Sequence, residues 1–187
     1  FIIDGNEYKR SDDVITNDRN LKIQLSHYQP KEMNEPLPCV IYCHGNCGSR
    51  LSVRNIVNLL LPYHITILAF DFTGSGLSDG EYVSLGYYES KDIKCVVDYL
   101  RQNKRASTIA LWGRSMGAVS ALLYAKQDPS VACMILDSPF RKLYILMQEL
   151  ARTYGSKLIP KFLVKFGIKI IKKTVQKKAK FNIMDVS

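Results

Sequence analysis

Histidine is scarce in this chain: there are three, His27, His44 and His64, and none follows position 64. Chemistry in the long stretch beyond must therefore proceed without an imidazole of its own. No apolar run approaches the roughly 20 residues that a membrane-spanning helix needs. The amino terminus lacks the basic-then-apolar pattern of a secretory signal, and Phe1 is not an initiator methionine, so the chain is expected to be a piece of something longer. The five cysteines are odd in number and scattered through apolar segments, which argues against a disulfide framework and for a reducing, cytoplasmic setting. Cys43, His44 and Cys47 lie close together, but no second Cys or His pair follows to complete a tetrahedron, so no metal site is expected. Acidic residues are absent from position 157 to position 180.

What is present fits one globular domain covering residues 1–187, since 47% of the residues are hydrophobic and the chain is long enough to bury a core. Asp13 to Thr16 and Leu21 to Ser26 read as a leading antiparallel pair around a polar turn. Apolar β-branched runs follow at Cys39 to Cys43, Ile65 to Phe72, Thr108 to Trp112 and Val131 to Leu136. Helical periodicity falls between them, at Leu51 to Leu61, Gly86 to Asn103 and Ala118 to Lys126, and again at Lys142 to Tyr154. Strands alternating with helices predict an α/β fold with a mostly parallel sheet covered on both faces.

The most informative stretch is Gly113-Arg114-Ser115-Met116-Gly117, set between an apolar strand and a helix. A serine on a sharp strand-to-helix turn stands clear of the sheet, and glycines two residues to either side keep the neighbouring backbone away from it. Ser115 is therefore the candidate nucleophile. Acyl transfer through such a serine also needs two backbone N–H donors for the oxyanion, one after the serine and one from a loop after an earlier strand. Met116 and Asn46 fit those positions, with His44 and Gly45 shaping the second loop. Gly74-Ser75-Gly76 invites a dinucleotide reading, but the third glycine, Gly80, comes one residue late and Asp79 would face the phosphates, so no cofactor is expected.

Three segments, Cys43-His44-Gly45-Asn46, Phe70-Asp71-Phe72-Thr73-Gly74-Ser75-Gly76-Leu77-Ser78 and Gly113 to Gly117, together resemble the α/β-hydrolases, in the expected order and on the expected elements. The chain is most similar to the branch holding serine aminopeptidase-like and protein-depalmitoylase-like enzymes. The resemblance runs from about residue 10 onward. It implies that residues 141–181 form a lid-like helical segment over an acyl pocket, and that the middle segment shapes a loop at the carboxyl edge of the sheet. It also implies a chain order of nucleophile, acid, histidine. All three histidines precede Ser115, so the acid and histidine of a triad are not expected within these residues. Asp137 ends the strand after the elbow and is read as structural, capping the next helix.

Charge is uneven. Nine lysines lie between Lys157 and Lys180, while the other 17 of the 26 basic residues balance the 17 acidic ones, so the whole net charge of +9 resides in that segment. As a helix from Pro160, it would place Lys161, Lys165, Lys169, Lys172, Lys173, Lys177 and Lys180 on one face. Leu163, Val164, Ile168, Ile170, Ile171 and Val175 would occupy the other, and Gly167 would divide it into two pieces. Phe162 and Phe166 fall near the basic side, the pattern of an interfacial helix, so an anionic membrane surface or an acidic partner is the expected contact. Nucleic acid is not expected, because no stacking platform or reading motif accompanies the lysines.

Two functions follow from these features. One is a serine hydrolase that cleaves ester, thioester or peptide-like acyl bonds through Ser115, with these residues nearly inert on their own. The other is an inactive hydrolase-like module that binds a membrane or an acidic partner through the lysines. The intact elbow favours the first and the missing histidine the second.

Overall fold

The computed structural model describes residues 1–103, 105–154 and 161–186, with the backbone alone at positions 152, 154 and 161–166. Two compact units are distinguished, Phe1–Pro139 and Phe140–Ser187. The first holds a seven-stranded mixed sheet: β1 (Ile2–Ile3), β2 (Asn6–Thr16), β3 (Lys22–Pro30), β4 (Cys39–Cys43), β5 (Thr66–Phe70), β6 (Ile109–Arg114) and β7 (Met134–Asp137). Their order across the sheet is β1-β2-β3-β5-β4-β6-β7. The four strands β4 to β7 run parallel, and β3 joins them by pairing antiparallel with β5. The helices are α1 (Arg54–Leu60), α2 (Tyr87–Gln102) and α3 (Met116–Ala125).

Strands β4 and β5 are buried on both faces, as their unbroken hydrophobic runs predict, whereas β7 is largely exposed. Leu68 and Phe70 of β5 face one core with Cys39, Ile41 and Cys43 of β4 and Leu111 of β6, closed by Ile93, Val96 and Val97 of α2 and Ala121 of α3. Ile67 and Ala69 face the other core with Tyr42, closed by Val57 of α1 and by Val53 and Leu61 just outside it. Phe70 and Phe72 are fully buried and meet edge to face at 4.6 Å, and each contributes about 1.5–3 kcal/mol through burial.

Several elements differ from their sequence-based expectation. The antiparallel lead comprises three strands, and β2 begins at Asn6: its polar residues alternate around Tyr8, and a nine-residue ladder with β3 holds it. The helix expected over Leu51 to Leu61 is three pieces, a 3-10 turn Arg50–Val53, α1, and a second 3-10 turn Leu61–Tyr63 that carries Pro62. Its first turn is held from outside by the Asp71 carboxylate, which accepts the Arg50 N–H at 2.7 Å.

The second unit contains α4 (Leu143–Tyr154) and α5 (Lys161–Ala179), and the segment expected as a lid lies within it. Gly167 does not divide α5: the helix is continuous through it, since one glycine costs a helix only about 1 kcal/mol. Burial along the helix is uneven. Ile168 is buried, but Ile170 and Ile171 are 50% and 45% exposed and Lys172 is half-buried. The side chains of Lys161, Phe162, Lys165 and Phe166 lie outside the described residues, as does Lys157.

Candidate active site

The carboxyl ends of β4, β6 and β7 converge on Ser115. β6 ends at Arg114 and α3 begins at Met116, so Ser115 alone makes the turn between them, with φ 51° and ψ −112°. A non-glycine residue in that region carries about 1–3 kcal/mol of backbone strain and persists only where its surroundings enforce it. Those surroundings are specific. The Ser115 N–H donates to the Asp137 carbonyl at 2.7 Å, tying the turn to β7, and the Ser115 carbonyl accepts the Val119 N–H at 3.1 Å. A Cβ on Gly117 would stand 2.0 Å from the Cys43 carbonyl oxygen, and one on Gly113 would stand 2.5 Å from the Ala118 nitrogen. Both positions therefore admit only glycine, because each neighbour is backbone and cannot swing aside.

The loop after β4 reaches the same place. A Cβ on Gly45 would lie 3.7 Å from that of Ser115, and Asn46 follows it, exposed. The N–H of Met116 is among the first of α3, which have no partner within a helix. The β4 loop and the start of α3 thus both lie beside Ser115.

His44 is not positioned as a base. It is fully buried, its Nε2 accepts the Phe72 N–H at 3.1 Å and its Nδ1 donates to the Gly45 carbonyl at 2.8 Å. Burial lowers its pKa, and both ring nitrogens are occupied in shaping the loop that carries Gly45 and Asn46. His27 sits mid-strand on β3, buried, with Nε2 3.9 Å from Cys39 Sγ, and desolvation lowers its pKa to about 4. His64 is exposed two residues before β5 begins, at the amino edge of the parallel strands, a strand's length from Ser115.

The loop after β5 is held by carboxylates, and two of its partners escaped the sequence reading. Asp71, 1% exposed, accepts the N–H of Arg50 and of Leu77 and pairs with the Arg50 guanidinium, while its carbonyl accepts Ser78 Oγ at 2.6 Å. Asp92 of α2 accepts from Thr73, from Asn17 at 2.9 Å and from Arg19 at 3.2 Å. Arg50 and Asp92 lie far in sequence from the loop they fix, so spacing gave no signal for either. Asp137 does not cap a helix, because α4 begins only at Leu143; it accepts Ser138 Oγ at 2.7 Å and pairs at 3.5 Å with an exposed Arg114, a contact worth little in water.

Residues 34–184 match the family described as serine aminopeptidase, S33. An uncharacterized Bacillus subtilis protein, YqkD, is 36% identical over 104 residues, covering 54% of this chain and 34% of its own length. Lysophosphatidylserine lipase ABHD12 of Danio rerio is 25% identical over 157 residues, 79% of this chain and 39% of the lipase. The chain thus spans well under half the length of these curated relatives. Among solved structures, the Pyrococcus furiosus esterase Pf2001 superposes with a TM-score of 0.71 at 28% identity, covering 94% of this chain and 65% of the esterase. A strained serine between two obligatory glycines, at the carboxyl edge of a sheet whose strands run in this order, belongs with that match: the chain is a member of the serine aminopeptidase S33 family of α/β-hydrolases.

Proposed function

We propose that this chain supplies the nucleophile and the oxyanion donors of a serine hydrolase acting on carboxylic esters or thioesters. The observation that carries the reading is the backbone of Ser115, a strained turn that costs stability and has no structural use for a serine. In the proposed reaction Ser115 Oγ attacks the acyl carbonyl while a base takes its proton. The N–H groups of Met116 and Asn46 receive the oxyanion, and the alcohol or thiol leaves with the proton. Water then attacks the acyl-serine, releasing the acid and restoring the hydroxyl. No cofactor enters this chemistry. The names of two relatives, an esterase and a lipase, support an ester substrate with an apolar acyl part.

The base is the open element. His44 has both nitrogens engaged, His27 is buried mid-strand and His64 lies at the opposite edge of the sheet. We therefore assign the acid and the histidine to segments outside these 187 residues. The test is fluorophosphonate labelling with peptide mapping, together with hydrolysis of p-nitrophenyl butyrate by residues 1–187 and by the full-length gene product. The expected result is one label, on Ser115, and turnover by the full-length protein that Ser115→Ala abolishes. Residues 1–187 alone should be slower by a factor on the order of 10⁶. Labelling that persists in Ser115→Ala sinks the assignment. A full-length protein without Ser115-dependent turnover would favour the non-catalytic binding module.

A further inference from the structure

The described part of α5 presents an arrangement that a lid over a pocket does not require. Ile168 and Ala179, 6% and 8% exposed, mark its inward side, and at about 100° per residue they fall within about 20° of each other. Ile170 falls about 160° from Ile168, at the outward pole, and is half exposed there. On the helical wheel it lies about 20° from Lys177 and 60° from Lys173 on one side, and about 80° from Lys178 on the other. Ile171, 45% exposed, lies about 100° round from Ile170 on the side of Lys178, and about 60° from Ile168. Lys169, Lys173, Lys177, Lys178 and Lys180 are all exposed, and among the described residues none of them forms an ion pair with an acidic side chain. An outward isoleucine ringed by lysines gains nothing in water. It gains where apolar surface and negative charge are stacked at one boundary.

We infer that the outward face of α5 docks on an anionic phospholipid surface, with the lysines among the headgroups and Ile170 and Ile171 at the acyl boundary. The charge fits, because the entire net charge of +9 is confined to the segment holding this helix. None of the described helices is long and apolar enough to cross a membrane, so a lipid contact made through α5 is one in the interface plane. The inference does not depend on the chemistry assigned to Ser115.

The experiment is sedimentation of the 187-residue chain with vesicles of phosphatidylcholine alone and of phosphatidylcholine mixed with phosphatidylserine, across a salt series. Binding is expected only to the mixed vesicles and should fall steeply with salt. Each lysine near such a surface contributes about fivefold, so changing Lys169, Lys173, Lys177 and Lys178 to glutamine should lower partitioning by more than about 100-fold. The double change Ile170→Ser and Ile171→Ser should lower it several-fold with the salt dependence kept. All six positions are exposed, and circular dichroism checks that each variant folds. Equal binding to neutral vesicles, or binding unchanged by the four glutamines, overturns the proposal. Vesicle binding that needs the lysines but ignores both isoleucines also overturns it, because the contact is then electrostatic alone, with no side chain at the acyl boundary.

Discussion

Lowering the pH should destabilise this protein through the buried ring of His27 well before its carboxylates titrate. His27 is 3% exposed, and its Nδ1 has no hydrogen-bond partner among the described residues. Burial, helped by the positive charge of Arg105, lowers its pKa from 6.5 to about 4. The unfolded chain binds the proton near pH 6.5, whereas the folded chain refuses it until about pH 4. Between those values the unfolded state holds more protons, so stability rises with pH across the window and is lost as pH falls through it. At about 1.4 kcal/mol per unit the full window amounts to about 3 kcal/mol, and the interval from about pH 7 to pH 5 to about 2 kcal/mol. A domain of this size has about 5–15 kcal/mol in total, so the effect is measurable. His44 is shifted in the same direction, also by burial, so the comparison must be made against a variant. Urea unfolding of the wild type and of His27→Leu at both pH values isolates the term: the variant should lose about 2 kcal/mol less. An equal loss in the two proteins, or a folded-state His27 resonance titrating near pH 6.5, would refute the reasoning.

Two further substitutions test the packing around the elbow. Gly117→Ala places a methyl 2.0 Å from the Cys43 carbonyl, so the start of α3 or the end of β4 must move; about 1–3 kcal/mol should be lost in chemical denaturation, along with fluorophosphonate labelling of Ser115. Arg50→Met leaves the Asp71 carboxylate buried without its guanidinium, and the same assay should show a loss of about 3–5 kcal/mol, partly recovered by adding Asp71→Asn; a loss under about 1 kcal/mol would mean that the backbone donors of Arg50 and Leu77 suffice alone.

The fold class was legible because its signal is local. Unbroken apolar strands alternating with amphipathic helices specify a parallel sheet, and Gly113 to Gly117 marks the turn at Ser115 without reference to anything distant. What escaped the sequence depends on partners far along the chain. The strand expected from Asp13 runs instead from Asn6 through the polar Lys9, Arg10 and Ser11, carried by the ladder with β3. The pinning of Arg50 by Asp71 crosses 21 residues, and that of Arg19 by Asp92 crosses 73. The orientation of α5 was not legible for a related reason. A periodicity names two faces of a helix, but only the tertiary structure chooses which arc turns inward, and here Ile170 was left outside while Lys172 was drawn half in.

The bond from the Ser115 N–H to the Asp137 carbonyl makes the elbow depend on β7, which among the described residues is the edge strand on the parallel side of the sheet and exposes Met134 and Ile135. Outer strands open first in native-state fluctuations, at a free energy well below that of global unfolding. Each time β7 lifts from β6, the serine amide loses its acceptor and the strained φ can relax. The exchange rate of that one amide proton therefore clocks how long the nucleophile's geometry lasts, and anything that clamps β7 in place would slow it while leaving the amides of β4 and β5 unchanged.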